Sequence, residues 1–479
     1  MAPWILLFER SINLWKKWED NMTYQEQMDL LLQNYIDFCA NRNGGVEFII
    51  SSACDQKCEY CYLQKHGHEM NYQQANNEED ILRNLPIFLD YLDEINFQYV
   101  DYDIFSGEFF QLPYWEKVLQ IFYDHQMKVK KKRFTTIPTN YSFIANDETT
   151  KRVEYWIEKM KECDAPLHLS CSIDGPEETD NKTRPNHKGI IKDEAFYDKV
   201  FKFLAKHNFA CHPMISKYFL QDYKKNYDFF LDNTIKYNVL FYQETGESDY
   251  NMPMLLEVRD SAEWDEESLK LYKEFLRYVA YQDLEKLYNG DKEKYALKIF
   301  DDFTNQYTEL TGHHRTQPYI LAYPYMCGNQ LSCSIQHQFV CRIGDLTLAP
   351  CHRTYYSQFE YGKLKLNEEK TKIIGVEGKN PLLAFKIAKF NPARSNLKCG
   401  GCKIKAFCLQ GCLGSAFENT TEIFGVQDPV CEMFKVKYST IHEIVEEMGL
   451  YEIILKNPLV PAERKEFIVY ARKLLSNGL

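Results

Sequence analysis

Short apolar runs alternate with amphipathic stretches along the first half of the chain. Six runs have the length and composition of buried strands, and they lie at 46–50, 99–105, 134–138, 167–173, 209–215 and 239–242. Between them apolar residues recur at helical spacing, for example at Val153, Trp156, Ile157 and Met160. Strand alternating with helix predicts βαβ units and a parallel sheet. Because six units are too few for a closed eight-stranded barrel, we predict an α/β fold built as a partial, TIM-like (β/α)6 barrel.

The pattern changes after about residue 250. Two helical stretches, 266–288 and 292–310, precede a segment that is rich in cysteine and glycine and has little regular periodicity. Such a segment is expected to have a weak apolar core and to fold around metal. We predict five regions: a mostly helical leader at 1–45, the partial barrel at 46–250, a helical bridge at 251–326, a cysteine-rich domain at 327–435 and a helical tail at 436–479.

The composition limits the partners of the protein. The chain has 479 residues and a net charge of −12 at pH 7, whereas proteins that bind nucleic acid usually carry a basic surface. No run approaches the ~20 apolar residues that cross a bilayer. The apolar run at 2–8 lacks the basic flank and the cleavage site of a signal peptide. We therefore predict a cytoplasmic protein that binds neither nucleic acid nor a membrane.

Sixteen cysteines are present, and eleven of them fall into tight clusters. Disulfides are typical of small secreted proteins, so metal or iron–sulfur binding is the better interpretation in a large chain without an export signal. Cys54, Cys58 and Cys61 follow the first predicted strand, and ligand chemistry in such barrels gathers at the carboxyl ends of the strands. Three thiolates can hold three irons of a [4Fe–4S] cluster and leave the fourth iron open. A structural zinc site is the alternative.

The segment from Cys54 to Cys61, including Tyr60 before the last cysteine, resembles the CxxxCxxC signature of the radical S-adenosylmethionine (SAM) superfamily. The resemblance implies that the amine and the carboxylate of SAM chelate the open iron. It also implies that reduction cleaves SAM to methionine and a 5′-deoxyadenosyl radical, which abstracts a hydrogen atom from a substrate.

Polar residues at later strand ends extend the resemblance. Ser106, Gly107 and Glu108 are similar to the Gly-Gly-Glu motif of the superfamily, in which the glycine permits close backbone approach and the glutamate binds the SAM ammonium. The segment 172–176 resembles the Ser-Ile-Asp-Gly-Pro segment of peptide-modifying members, and 180–184 resembles their His-Asp-Lys-x-Arg. The resemblance implies further SAM contacts at Asn140, Ser172, Asp174 and Arg184, of which Arg184 would bind the SAM carboxylate.

A second group of cysteines resembles the SPASM extension of radical SAM enzymes. Its core is Cys399, Cys402, Cys408 and Cys412, with Cys327, Cys333 and Cys351 upstream and Cys431 downstream. The resemblance implies two auxiliary [4Fe–4S] clusters, three in all. One would be held by Cys327, Cys333, Cys351 and Cys412, and the other by Cys399, Cys402, Cys408 and Cys431. Zinc is again the alternative. The remaining five, Cys39, Cys163, Cys171, Cys211 and Cys341, are predicted to be buried thiols.

The resemblance also implies a substrate class, because SPASM enzymes mostly modify peptides and proteins. In the anaerobic sulfatase maturases an aspartate directly after the equivalent of Cys351 acts as base, and here His352 takes that position. We predict an enzyme that oxidatively modifies a ribosomally made precursor peptide, by a thioether or carbon–carbon cross-link or a related reaction. It would draw electrons from a low-potential flavodoxin- or ferredoxin-type donor. The alternatives are formylglycine formation and, in another class, a metal-stabilised scaffold or an iron–sulfur electron carrier without catalysis.

Overall fold

The computed structural model describes residues 22–41, 45–66, 77–97, 101–186, 189–242, 248–250, 256–288, 334–390, 395–405, 412–456 and 462–476. Its strands are β1 Val46–Ser51, β2 Asp101–Ser106, β3 Phe134–Thr139, β4 Leu167–Cys171, β5 Met214–Ile215, β6 Leu240–Tyr242, β7 Ser248–Tyr250, β8 Leu256–Glu257, β9 Phe339–Arg342, β10 Thr347–Ala349, β11 Gly362–Leu366 and β12 Ile373–Gly378. In the described part of the chain no helix is both long enough and apolar enough to cross a membrane.

The helices follow in chain order. They are α1 Tyr24–Ala40, α2 Tyr62–His66, α3 Glu78–Glu94, α4 Trp115–Val129, α5 Asp147–Glu162, α6 Glu177–Thr183, α7 Glu194–His207, α8 Lys217–Gln221, α9 Tyr223–Lys236, α10 Glu266–Tyr288, α11 Pro381–Ala388, α12 Leu397–Gly401, α13 Leu413–Thr420, α14 Asp428–Glu447, α15 Leu450–Lys456 and α16 Ala462–Ser476. The predicted helix at 266–288 is confirmed, and the one predicted at 292–310 lies outside the described residues.

Local side-chain chemistry explains where the barrel helices start. Asn77 precedes α3 and its Oδ1 accepts a hydrogen bond from the backbone N–H of Glu79 at 3.0 Å. Asn146 does the same for α5, accepting from Thr149 N at 2.9 Å. Such N-caps satisfy a donor that the helix itself leaves without a partner. The apolar stripe of α5 is buried as its spacing predicts.

The main sheet has eight strands in the order β12-β11-β10-β9-β1-β2-β3-β4. Strands β1 to β4 are parallel neighbours, as the βαβ pattern predicts, and β9 pairs in parallel with the other edge of β1. Strands β9 to β12 then run antiparallel to one another. The sheet therefore continues from the predicted barrel into the cysteine-rich segment, and the five predicted domain boundaries stay a prediction.

Two of the six predicted strands differ from expectation. The run 209–215 shortens to β5, which pairs with β8 and reaches β4 through a single bridge between Cys171 and Cys211. Pro213 lies between that bridge and β5, and proline offers no N–H to a ladder. The run 239–242 forms β6, which pairs with β7 in a separate hairpin.

The expectation of a weak core in the cysteine-rich segment is wrong for the part that the structure describes. Strand β9 is buried along its whole length, and so is β10. These strands have only four and three residues, so each apolar run is too short to be recognised in the sequence pattern. The leader helix α1 packs on the same region, since Asp29 accepts a hydrogen bond from Gly378 N at 2.8 Å.

The two faces of the sheet have different neighbours. Phe48 on β1 and Tyr102 on β2 pack against Phe122 of α4, with ring centroids 5.3 and 4.7 Å away. Because side chains alternate along a strand, Glu47 and Phe105 point to the opposite, inner face. That inner face and the carboxyl ends of β1 to β4 carry the candidate site.

Candidate functional site

The cysteine loop, which carries Cys54, Cys58 and Cys61, follows the carboxyl end of β1. Backbone hydrogen bonds hold it on two sides. On one side Lys57 N donates to Pro185 O and Glu59 N donates to Thr183 O, both at 2.9 Å. On the other side Glu108 N donates to the carbonyl of Ala53 at 2.7 Å. The backbone therefore brings the ends of β1, β2 and the segment after α6 to one place.

Cys54, Cys58 and Cys61 are partly exposed thiols without disulfides. Burial raises the pKa of all three, and it raises that of Cys58 to about 12. In the described residues no three Cys, His, Asp or Glu side chains are grouped as ligands of a single metal ion would be. Each thiolate of a cluster binds a different iron, so this finding concerns a mononuclear site alone.

Glu108 is a fully buried carboxyl group at the end of β2. Its Oε2 accepts from Asn140 N at 2.7 Å and its Oε1 accepts from the Thr139 hydroxyl at 2.8 Å. Burial raises its pKa to about 7, since the loss of water around the charge and the nearby Asp55 carboxylate outweigh these hydrogen bonds. A cationic ligand beside Glu108 would reverse that shift.

Asp55, directly after the first cysteine, lies beside Glu108. Its Oδ1 accepts a hydrogen bond from Asn140 Nδ2 at 2.6 Å, whereas its Oδ2 is buried without a hydrogen-bond partner. The Nε2 of the neighbouring Gln56 is buried and unsatisfied as well. Buried polar atoms normally have partners, so these two atoms could bind polar groups of a ligand. No feature of the sequence pattern pointed to Asp55.

Asp174 and Arg184, predicted SAM contacts, form a buried ion pair with each other. Arg184 Nε lies 2.9 Å from Asp174 Oδ2, although the N–H is not aligned for a hydrogen bond. Tyr60 donates its hydroxyl proton to the same carboxylate oxygen. Met214 N donates to Asp174 Oδ1 at 2.9 Å. The structure thus brings three predicted site residues together, with Asp174 in contact with β5.

Ser106 and Ser172, the two predicted SAM contacts that are serines, are positioned by backbone hydrogen bonds. Ser172 N donates to the carbonyl of Thr139 at 2.9 Å, next to the Glu108 site. Ser106 is the last residue of β2 and its backbone pairs with Ser51 of β1. Both residues therefore lie at the carboxyl edge of the sheet, where they were expected.

A second buried ion pair supports the first, and the sequence did not reveal it. Lys192 Nζ is 2.7 Å from Asp180 Oδ2, and both side chains are almost completely buried. Asp180 Oδ1 in turn accepts a hydrogen bond from Asp174 N at 2.9 Å. Lysine and aspartate are common surface residues, so only their contact in space distinguishes them.

His352, the predicted base, lies on the inner face of the sheet. Its ring stacks on Phe105 with centroids 3.9 Å apart and an interplanar angle of 13°. Its Nδ1 is 3.1 Å from Glu47 Oε2, which also accepts from His352 N at 2.9 Å. Gln338 Nε2 donates to the other oxygen of Glu47 at 3.2 Å. Glu47 therefore fixes the imidazole, a role that its place in an apolar run did not predict.

The second cysteine group is only partly described, because Cys327, Cys333 and Cys408 lie outside the described residues. Cys399, Cys402 and Cys431 are near one another. Burial and the two neighbouring thiols together raise the pKa of Cys431 to about 11, although Lys398 opposes the rise. The predicted two auxiliary clusters and their ligand sets stay a prediction.

Arg353, a partly buried arginine near Cys412, lies two residues after Cys351. The Cys351 Sγ is 3.4 Å from the Thr354 hydroxyl. Arg353 donates from Nε to both carboxylate oxygens of Glu418 at 3.0 Å and lies over the ring of Tyr62, 5.5 Å from its centroid. This contact joins the cysteine loop to α13. The five cysteines predicted to be buried thiols, Cys39, Cys163, Cys171, Cys211 and Cys341, are confirmed as buried and free of disulfides.

Comparison with solved structures finds the same fold. The structure titled "Native anSMEcpe with bound AdoMet" is 18% identical, with a TM-score of 0.54 over 86% of this chain and 99% of its own. The structure titled "Native anSMEcpe with bound AdoMet and Cp18Cys peptide" is 17% identical, with a TM-score of 0.53 over 85% of this chain and 98% of its own. The abbreviation anSME stands for anaerobic sulfatase-maturating enzyme, a radical SAM enzyme with a SPASM extension.

No protein-family model and no curated protein matches the sequence. At 17–18% identity the structural matches establish the fold of this chain and no more. They confirm the predicted α/β fold class.

Proposed function

We propose that this protein is a radical SAM enzyme that reductively cleaves SAM and oxidatively modifies a peptide or protein. The observation that carries the proposal is the junction of the loop that holds Cys54, Cys58 and Cys61 with Gly107 and Glu108, which sets a buried carboxyl group near the thiol of Cys54. When bound there, a [4Fe–4S] cluster and SAM would supply a 5′-deoxyadenosyl radical that abstracts a hydrogen atom from the substrate.

The residues present fit these groups. Cys54, Cys58 and Cys61 are the three thiolates that a cluster with an open iron needs. Glu108 and the unsatisfied oxygen of Asp55 would accept the ammonium of SAM, which would bring a positive charge to a site that holds two neighbouring carboxyl groups. Arg184 stays our candidate for the SAM carboxylate, and it would share its guanidinium with Asp174.

We propose a ribosomally made precursor peptide as the substrate, modified by a cross-link or a related oxidation. The fold supports a peptide substrate, because solved structures with this fold hold a bound peptide together with AdoMet. His352 would accept the proton that the substrate loses, and Glu47 would hold the imidazole in place. A flavodoxin- or ferredoxin-type donor would supply the electron for SAM cleavage.

Formylglycine formation is a second candidate. It is favoured by His352, which directly follows Cys351 and contacts Glu47. The two candidates differ in their product. Incubation with a sulfatase-derived peptide carrying cysteine or serine would yield an aldehyde that a hydrazine reagent traps. A maturase of precursor peptides would leave that peptide unchanged and would modify a peptide encoded beside its own gene.

Anaerobic reconstitution tests the proposal. Three clusters predict about twelve irons per chain, and dithionite with SAM should yield 5′-deoxyadenosine. The matched control replaces Cys54, Cys58 and Cys61 with alanine, which should remove about four irons and all SAM cleavage. Zinc in place of iron would contradict the cluster assignment, and full clusters without SAM cleavage would contradict the enzymatic function.

A further inference from the structure

The guanidinium of Arg184 lies against the sulfur of Cys58. Its Nη1 is 3.8 Å from the Cys58 Sγ, within the range of a hydrogen bond to sulfur. The residue is only 7% exposed, and its guanidinium carbon lies 5.3 Å from the centroid of the Tyr60 ring. A full positive charge therefore lies, shielded from water, beside one of the three thiols assigned to the cluster.

The ion pair has its positive end toward Cys58. Asp174 binds Arg184 at Nε, whereas Nη1 faces the sulfur. Asp174 is also held by the Tyr60 hydroxyl and by Met214 N, so its negative charge is shared among donors.

The second ion pair makes this arrangement rigid. Lys192 Nζ binds Asp180 at 2.7 Å and donates to the carbonyl of Arg184 at 3.2 Å. Asp180 O accepts from Arg184 N at 2.7 Å. The backbone of Arg184 is thus held by hydrogen bonds at both its N–H and its carbonyl group. This fixes the position from which its side chain extends toward Cys58.

We propose that Arg184 is a positioning residue that acts on the cluster through the Cys58 thiolate and raises its reduction potential. The inference rests on the proposed function, because it needs a cluster on this loop. Reduction adds one electron, and therefore one negative charge, to the cluster. A buried cation and a hydrogen bond to a cluster sulfur stabilise that more negative state, so a low-potential donor can reduce it more easily.

The test is a redox titration of the reconstituted full chain, followed by electron paramagnetic resonance without SAM. The signal of this cluster is the one missing from the variant in which Cys54, Cys58 and Cys61 are alanine. Arg184→Met should shift its midpoint potential to more negative values. Lys182→Met is the matched control, since it removes an exposed lysine two residues away on α6 and should leave the potential unchanged.

A second variant, which should shift the midpoint potential in the opposite direction, keeps the proposal testable if Arg184→Met does not retain iron. Asp174→Asn removes the negative partner and should shift the midpoint potential to more positive values. An unchanged midpoint in either variant that holds the cluster would overturn the proposal. If SAM affinity fell while the potential stayed the same, Arg184 would act on SAM alone. Failure of wild type to cleave SAM would count against the proposed function, whereas the comparison of potentials is made without SAM.

Discussion

Gly107 packs so closely against Ala53 that a Cβ on Gly107 would stand 2.3 Å from the Ala53 carbonyl oxygen. No side chain fits at that distance without a shift of one backbone relative to the other. The contact holds the cysteine loop against the end of β2, and it explains why glycine stands directly before Glu108.

Gly107→Ala should therefore displace the cysteine loop. We expect a loss of about 1–3 kcal/mol in the free energy of unfolding, typical of overpacking, and a reconstituted protein that lacks about four irons. Iron content and urea unfolding measure the two effects. Gly375→Ala is the control, because a Cβ there meets nothing within 4 Å. Full iron content in Gly107→Ala would contradict the structural role of the contact.

Glu108 should make stability depend on pH. Its pKa rises from 4.5 in a free chain to about 7 in the folded protein, so between these values the folded state binds more protons than the unfolded state. Stability from this group is fully present below about pH 4.5 and is lost as the pH rises through 7. Relative to Glu108→Gln, wild type should lose about 3 kcal/mol over that window. Urea unfolding of the two cluster-free proteins at a series of pH values measures this loss. If the stabilities of wild type and Glu108→Gln changed in parallel with pH, the raised pKa of Glu108 would be contradicted.

Glu47→Gln should slow peptide modification without affecting SAM cleavage. The amide keeps the size of the side chain but removes the charge that orients the His352 imidazole. We expect modification to fall roughly 10- to 100-fold, measured by mass spectrometry of the peptide, with 5′-deoxyadenosine formation without peptide unchanged. Glu377→Gln, at a partly exposed position of β12, is the control. If Glu47→Gln lost SAM cleavage to the same extent as peptide modification, Glu47 would not act only by positioning His352.

Lys437→Met should destabilise the protein strongly. Lys437 of α14 forms a buried ion pair with Glu257 of β8, which also accepts a hydrogen bond from the Tyr272 hydroxyl at 3.1 Å. The neighbouring cations outweigh burial and lower the pKa of Glu257 to about 2, so loss of Lys437 leaves a buried charge. We expect a cost of about 3–5 kcal/mol, by urea unfolding.

The double variant with Glu257→Gln should recover much of that loss, since it removes a buried carboxylate whose remaining ion-pair partner, Arg259, lies 3.7 Å away. Lys435→Met removes a partly exposed lysine from the same helix and should change stability by less than about 1 kcal/mol. Similar losses of stability in Lys437→Met and Lys435→Met would contradict the assignment of a buried ion pair to Lys437.

Long periodic elements were predictable from the sequence. The stripe of α5 and the full length of α10 follow from apolar spacing sustained over several turns. Strand β9 was not predicted, because an element of four residues carries no readable period. The fifth strand of the predicted barrel was too long, because Pro213 interrupts its ladder.

The Glu108 contact with Asn140, the ion pairs of Asp174 and Asp180, and the hold of Glu47 on His352 were decided by the tertiary structure alone. Asp55 and Asn140 are 85 residues apart and Glu47 and His352 are 305 apart, and no local pattern links such positions. The sequence by itself determined the cysteine loop and its place after β1, because thiol spacing and strand pattern are local properties. Which charges surround that loop depends on how parallel strands from distant parts of the chain align their carboxyl ends at one edge of the sheet.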